Sequence, residues 1–244
     1  MTRSIDGDAA IVTGASSGIG RETALALARE GADVALAARR EERLSELAER
    51  IEAETDAEAL VVPTDMREES AVEALVETAV EAFGGLDVLV NNAGIVVGQG
   101  IEDLPTSEYR AMMETNADGM FFATRAALSH LRESAGTIVF IGSFAGQYPR
   151  SYNPVYAATK WWVRGFAQSV AAETTGDVAV TTINPSEVRT EIAAQTGESF
   201  EERFDEGEAL EPEDIAEGVV FAAKQDDAMV SELDLYRRDK FEIF

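Results

Sequence analysis

Ala9-Ala10-Ile11-Val12-Thr13-Gly14-Ala15-Ser16-Ser17-Gly18-Ile19-Gly20 decides how this chain is read. The first five residues form a short apolar run suited to a buried strand, and Thr23 to Ala28 beyond the glycines has helical character. A strand, a glycine turn and a helix are the parts of a dinucleotide site, because glycines let backbone N–H groups approach a pyrophosphate at a helix N-terminus. The spacing here is Gly-x-x-x-Gly-x-Gly, not Gly-x-Gly-x-x-Gly. A turn that merely precedes a helix is the plainer alternative.

Downstream, strand and helix alternate. Gly31-Ala32 closes the first helix, and Asp33 to Ala38 reads as a second buried strand ending at Arg39-Arg40. An acidic residue at that strand end would grip the 2′-hydroxyl of NAD, and Ala38 cannot. Arg39, with Arg40 beside it, can instead pair with the 2′-phosphate of NADP through a planar guanidinium, although arginines opening a helix can also be simply solvated. Glu41 to Glu54 is an amphipathic helix with Leu44, Leu47 and Ile51 facing inward. Leu60 to Val62 leads to Asp65-Met66-Arg67-Glu68, where Asp65 can accept from an adenine amino group or open a capping pattern with Glu68. Val72 to Phe83 is helical up to Gly84-Gly85, and Leu86 to Val90 is a strand followed by Asn91-Asn92-Ala93-Gly94, small enough for a ligand to pass closely. Tyr109 to Leu131 reads as a helix interrupted at Asn116-Ala117-Asp118-Gly119. Strands at Gly136 to Ile141, Val178 to Ile183 and Glu232 to Tyr236 alternate with helices at Tyr156 to Thr174 and Pro212 to Ala223. The expected fold is α/β, a Rossmann-type doubly wound parallel sheet of about seven strands with helices on both faces. We expect one domain over residues 1–244.

Tyr156 and Lys160 are four residues apart, so a helix puts the phenol and the ammonium on one face. A free tyrosine ionises near pH ~10, and a close cation lowers that value and makes the phenol a usable acid and base. Ser143, thirteen positions upstream of Tyr156, can hydrogen-bond a carbonyl or alkoxide oxygen while Tyr156 passes the proton. Such a set suits alcohol and ketone interconversion.

Composition narrows the partners. With 46 acidic and 20 basic residues the net charge is −26, which repels nucleic acid and anionic membranes. There is no cysteine for thiol chemistry or thiolate metal sites, and His130 is the only histidine. No apolar run approaches the roughly 20 residues of a membrane span, and Met1 to Asp8 is short and polar, so a cytoplasmic protein is expected. Lysine occurs only at Lys160, Lys224 and Lys240. Acid excess with so few lysines resembles proteins that work in molar salt, where the Debye length falls to ~3 Å and self-repulsion is screened. An ordinary acidic protein is the alternative.

Thr13-Gly14-x-x-x-Gly18-Ile19-Gly20, Asn91-Asn92-Ala93-Gly94, Asn116, Ser143 and Tyr156-x-x-x-Lys160 stand in the order and spacing of the short-chain dehydrogenase/reductases, and the chain resembles that family over nearly its whole length. The resemblance implies that Tyr156 is the acid/base, Ser143 orients the substrate oxygen, Lys160 binds the nicotinamide ribose and lowers the Tyr156 pKa, and Asn116 holds a relay water. It implies a cofactor cradle of Gly14, Ser16, Ser17, Gly18, Ile19 and Gly20, with Arg39 and Arg40 at the 2′-phosphate and Asp65 with Met66 at the adenine. Asn92, Ala93 and Gly94 would line the adenosine side, and Pro185, Val188 and Thr190 the nicotinamide. The family's usual Pro-Gly is Pro185-Ser186 here. Gly142 to Pro149, continuing to Tyr156, resembles more narrowly the NADP-dependent 3-hydroxy acid dehydrogenases, while Ser186 to Thr190 departs from them. The expected activity is hydride transfer between NADP(H), preferred over NAD(H), and a small secondary alcohol or ketone. A sugar or polyol dehydrogenase and a non-catalytic dinucleotide sensor are the alternatives. Substrate choice should rest with Phe144, Tyr148, Ile95 and the segment from about 190 to 211, which reads as an amphipathic lid or as a packed surface helix. Family members are commonly homodimers or homotetramers, and the same is expected here.

Overall fold

The computed structural model describes residues 2–192 and 198–241. Seven strands form a single sheet: β1 (Ala9–Thr13), β2 (Asp33–Ala38), β3 (Ala59–Pro63), β4 (Val88–Asn91), β5 (Thr137–Ile141), β6 (Ala179–Pro185) and β7 (Glu232–Leu235). The order across the sheet is β3-β2-β1-β4-β5-β6-β7 and every pairing is parallel. Strand order reverses between β1 and β4, and a crevice opens there beyond their carboxyl ends, which is where open α/β sheets bind ligands.

The helices are α1 (Gly18–Arg29), α2 (Glu41–Glu54), α3 (Glu69–Phe83), α4 (Thr106–Met113), α5 (Gly119–Ser134), α6 (Pro154–Thr174), α7 (Phe200–Arg203) and α8 (Pro212–Ala223). Successive strand residues point to opposite faces. Ala10 and Val12 of β1 accordingly join Leu25, Leu44, Leu47, Ile51, Ile215 and Val219 in one core, while Ile11 joins Val72, Leu75, Ala123, Ala127 and Val163 in the other. Both faces are covered, so the strands read as continuous apolar runs and not as alternating ones. The inward placement expected of Leu44, Leu47 and Ile51 is observed.

Most elements begin or end a few residues from where the sequence places them, and two of these differences bear on the catalytic candidates. The helix expected to break at Asn116 continues through a widened π-turn, Glu114–Asp118, between α4 and α5. Asn116 holds this turn against the neighbouring loop, its Oδ1 accepting from Ile95 N at 2.8 Å and its Nδ2 donating to Ile95 O at 2.9 Å. Such turns inside α-helices are frequent at functional sites. The second difference is that α6 starts at Pro154, with proline in the first turn where its missing N–H costs nothing. Among the described residues no helix is long and apolar enough to cross a membrane.

Candidate active site

The glycine turn sits at the reversal point, between β1 and α1. Gly18 has φ +53°, a left-handed conformation that favours glycine, and a Cβ there would meet Thr190 Cγ2 at 2.8 Å. A Cβ on Gly20 would lie 2.4 Å from Gly14 O, so the glycine lets the helix start close over the turn. Thr13 braces the neighbouring strand ends: its Oγ1 donates to Val90 O at 3.0 Å and accepts from Asn92 N at 3.0 Å and Ala93 N at 3.1 Å. Asn92 Nδ2 donates to Thr13 O at 2.8 Å.

Beside the turn is a cavity of about 490 Å³ whose walls include Gly14, Ser16, Ser17, Gly18, Ile19, Arg39, Arg40, Asp65, Met66, Asn92, Ala93, Gly94 and Thr190. Gly20 stands behind this wall as a packing residue. The N-cap of α1, Ser17, makes no side-chain cap bond, so the leading N–H groups of the helix lack a side-chain acceptor at the edge of the cavity. That is the chemistry a pyrophosphate completes. The residues present therefore fit a dinucleotide.

At the rim, Ala38 ends β2 and leaves no carboxylate toward the cavity. Arg39 is exposed and makes no hydrogen bond or ion pair among the described residues, whereas Arg40 is engaged. The Arg40 guanidinium donates to Ser16 Oγ at 2.9 and 3.1 Å, to Ser17 Oγ at 2.8 Å and to Glu191 Oε2 at 2.9 Å. Arg43 Nη1 lies 2.7 Å from both Glu191 oxygens, so one carboxylate bridges two guanidinium groups across the mouth of the cavity. Neither Arg43 nor Glu191 was singled out by sequence, since their positions are 148 residues apart and only the fold brings them together.

Asp65 lines the cavity, but its capping reading fails. Helix α3 starts at Glu69 with Glu68 as N-cap, and the Asp65 carboxylate instead accepts from Arg67, backbone N at 3.1 Å and Nε at 2.9 Å. The Arg67 hydrogen bond is the main reason that the Asp65 carboxyl is held below its usual range.

The catalytic candidates converge on a second, smaller cavity of about 110 Å³, walled by Ser143, Phe144, Tyr156, Lys160, Pro185 and Val188 among others. Ser143 caps a short 3-10 turn, Phe144–Gly146, and its Oγ accepts from Ala145 N at 3.1 Å. With an acceptor position so engaged, the hydroxyl proton is free to be donated elsewhere. Lys160 is 4% exposed and its Nζ donates to Ile141 O at 2.8 Å. Burial pushes the Lys160 ammonium down to about 8. The lowering expected for Tyr156 is not what the structure gives: burial raises its pKa, against opposing effects of a hydrogen bond with Ser143 and the charge of Arg150. Withdrawal from water disfavours both charged forms, phenolate and ammonium alike, and here it outweighs the cation nearby. Lys160 Nζ lies 5.9 Å from the Tyr156 ring centroid.

Asn116 does not line either cavity. It is fully buried, its amide engaged with Ile95 and with Thr159 Oγ1 at 3.1 Å, so its side chain positions the Ile95 loop and α6. Tyr148 is also displaced from its expected role. It stacks on Phe144, with ring centroids 4.3 Å apart, and lies outside the described lining of the small cavity. Ile95 faces the large cavity instead. Ser186 takes no left-handed conformation, since the only non-glycine residues with positive φ among those described are Ala135 and Thr175. Its N donates to Leu235 O at 2.9 Å, so the Pro185-Ser186 departure leaves the loop anchored to β7.

The segment expected to form a lid follows Thr190 and comes back alongside at Leu210, which forms an isolated parallel bridge with Val188 beyond the end of β6. Arg189 ties the two ends, Nε donating to Phe204 O at 3.0 Å and Nη1 to Glu211 Oε1 at 2.8 Å. Ile192 and Phe200 face the small cavity; residues 193–197 of the expected lid lie outside the described residues. Arg150, Tyr152, Asn153 and Glu187 also line this cavity and were not anticipated.

A doubly wound sheet with a glycine-lined dinucleotide cavity, joined to a Ser-Tyr-Lys pocket, defines a nucleotide-dependent oxidoreductase. Residues 8–200 match the family described as short chain dehydrogenase. An uncharacterized oxidoreductase of Staphylococcus aureus (strain USA300) is 36% identical over 219 residues, 88% of this chain and 90% of that protein. The alcohol dehydrogenase of the archaeon Thermococcus sibiricus, solved with 5-hydroxy-NADP, superposes with a TM-score of 0.87 at 31% identity, covering 94% of this chain and 96% of that one. The 3-ketoacyl-(acyl-carrier-protein) reductase of Brucella melitensis, solved with NADH, gives 0.86 at 31% identity over 96% and 98% of the two chains. The chain belongs to the short-chain dehydrogenase family and is an oxidoreductase that uses a nicotinamide cofactor.

Proposed function

We propose that the protein is an NADP(H)-dependent oxidoreductase of small secondary alcohols and ketones, with NADP preferred over NAD. The observation that carries the cofactor preference is the β2 end, where Ala38 supplies no carboxylate for a 2′-hydroxyl while exposed Arg39 faces the cavity. The cofactor, when bound, supplies or accepts the hydride. Tyr156 gives or takes the proton at the substrate oxygen, and Ser143 donates a hydrogen bond to that oxygen through the proton that Ala145 leaves free. Lys160, already tied to Ile141 O, has two further N–H donors to offer the cofactor ribose and the proton path. The likeness of Gly142 to Tyr156 to 3-hydroxy acid dehydrogenases keeps hydroxy acids among the candidates, with sugars and polyols as the alternative.

A panel of secondary alcohols offered with NADP⁺ and with NAD⁺, followed by the absorbance of the reduced cofactor, tests this reading. Turnover with NADP⁺ at higher kcat/KM is expected. Equal or better kcat/KM with NAD⁺ would reverse the cofactor preference, and no turnover of any alcohol or ketone would favour a dinucleotide sensor.

A cytoplasmic, salt-adapted setting and a homo-oligomeric state belong to the same proposal. The net charge of −26 supports the first, and the exposed Phe121 and Trp161 on the neighbouring helices α5 and α6 support the second. Both melting temperature and activity should climb from about 0.5 to about 3 M KCl, beyond the range where screening alone acts. Sedimentation at the same salt should give a dimer or tetramer.

A further inference from the structure

The small cavity carries more positive than negative groups on its wall. In a chain of net charge −26, the charged residues among its described lining are Arg150, Lys160 and Glu187. Lys160 is engaged with Ile141 O beneath Tyr156. Both Glu187 oxygens accept from Lys240 Nζ, at 2.6 and 2.7 Å, whereas Arg150 Nη2 is 3.8 Å away. Burial works to raise the Glu187 carboxyl, but the Lys240 hydrogen bond leads the effects that hold it below the usual range. Lys240 and Arg150 thus share the single Glu187 carboxylate, and the group keeps a net positive charge.

Arg150 is also held in a defined pose. Its guanidinium lies 4.7 Å from the Phe144 ring centroid and 5.9 Å from that of Tyr152, and its side chain is 19% exposed. It makes no hydrogen bond among the described residues, only the long pairing with Glu187. A guanidinium withdrawn from water and short of acceptors is unfavourable until an anion completes it, and its planar fork matches a carboxylate in two-point contact. Asn153 adds an independent sign of a missing ligand. It is 7% exposed, lines the same cavity, and its amide oxygen is buried without a partner. A primary amide turned by half a rotation presents donors instead, so Asn153 can meet either a carboxylate oxygen or a hydroxyl.

We infer that Arg150, with Asn153 beside it, is the anchor for a substrate carboxylate, so that the substrate is a small hydroxy or oxo acid and not a neutral alcohol. This rests on the reading of the cleft as a site of alcohol and carbonyl interconversion.

The test compares short hydroxy acids with their methyl esters and with hydroxyalkyl phosphates, using wild type, Arg150→Leu and Arg150→Gln. Wild type should prefer the acid to its ester, and both variants should lose about 30-fold or more in kcat/KM on the acid, mainly through KM. The ester should lose far less, only to the extent that the Arg150 charge helps Tyr156 ionise, and the Kd for NADP⁺ should be unaffected. Equal use of acid and ester by wild type, or equal losses on both in the variants, overturns the inference, and preference for the phosphate overturns the carboxylate assignment. Calorimetry with malonate, an unreactive dicarboxylate, keeps the result separate from turnover. Malonate binding by wild type that the variants lose supports the anchor even if no alcohol is oxidised, an outcome that would instead sink the proposed reaction. Absence of malonate binding to the wild-type protein with NADP⁺ present overturns it.

Discussion

The cofactor side and the substrate side of the cleft share a wall, with Ile19, Asn92, Gly94, Val96, Thr190 and Ile192 facing both cavities, yet they are built in different ways. The larger cavity is formed by strand ends and the glycine turn, and much of its chemistry is main-chain N–H at the start of α1. Such a surface tolerates few side chains and leaves its mark as glycines at set spacing. The smaller cavity is assembled from side chains of the β5–α6 region, the loop after β6 and α7. Its wall includes Arg150, Asn153, Glu187 and Phe200, which no local pattern joins. One side reads a constant part of a cofactor, the other a variable substrate.

The sharpest way to separate the two sides is Tyr156→Phe, which removes the proton donor of the small cavity and leaves the large one intact. Turnover should fall by about 10²-fold or more while the Kd for NADP⁺ is kept; retained turnover would remove Tyr156 from the chemistry. On the opposite side, Arg39→Ala should weaken NADP⁺ binding by about 10- to 100-fold, the scale of a lost charge-assisted hydrogen bond, and leave NAD⁺ unchanged. Ala38→Asp should move preference toward NAD⁺, because a carboxylate there repels a phosphate and accepts from a hydroxyl. An unchanged ratio of the two affinities in both variants would place the phosphate contact elsewhere.

Lys160 belongs to both sides, and its burial has a pH signature. Its folded pKa of about 8 lies below the ordinary 10.5, so between these values the unfolded chain binds more protons and stability rises with pH. This contribution is fully present above about 10.5 and is lost as pH falls through about 8, amounting to about 3 kcal/mol at most. Wild type should therefore gain on Lys160→Met in melting temperature as pH is raised across that window. A constant difference between the two proteins would mean that the ammonium is not desolvated as its 4% exposure implies.

The smallest expected effect is at the mouth of the larger cavity. Glu191→Gln frees Arg40 and Arg43 from the shared carboxylate, and because the pairs are partly exposed the gain in NADP⁺ affinity should be about fivefold or less. NAD⁺ binding should not change. A loss of NADP⁺ affinity would show that the carboxylate organises the arginines and does not compete for them.

The sequence by itself determined the alternation of strands and helices, the glycine turn, the missing acid at Ala38 and the Tyr156–Lys160 pair, because each rests on residues adjacent in the chain or within one helical turn. Helix periodicity likewise placed Leu44, Leu47 and Ile51 in the core. It could not tell that Asn116 would be held in a π-turn by Ile95, since a weak helix former looks like a break until its partner is known. Tyr148 and Phe144 are near neighbours in sequence, and only packing decided that one lines the small cavity while the other stacks behind it. The Tyr156 pKa has the same origin: the helix puts a cation four residues away, but burial by the surrounding elements sets the sign of the shift. Arg150 was one arginine among many until the fold brought Lys240 to Glu187 and left Arg150 only a long pairing with that carboxylate. Spacing along a chain encodes which groups share a face, whereas desolvation and charge balance depend on what the rest of the molecule brings to that face.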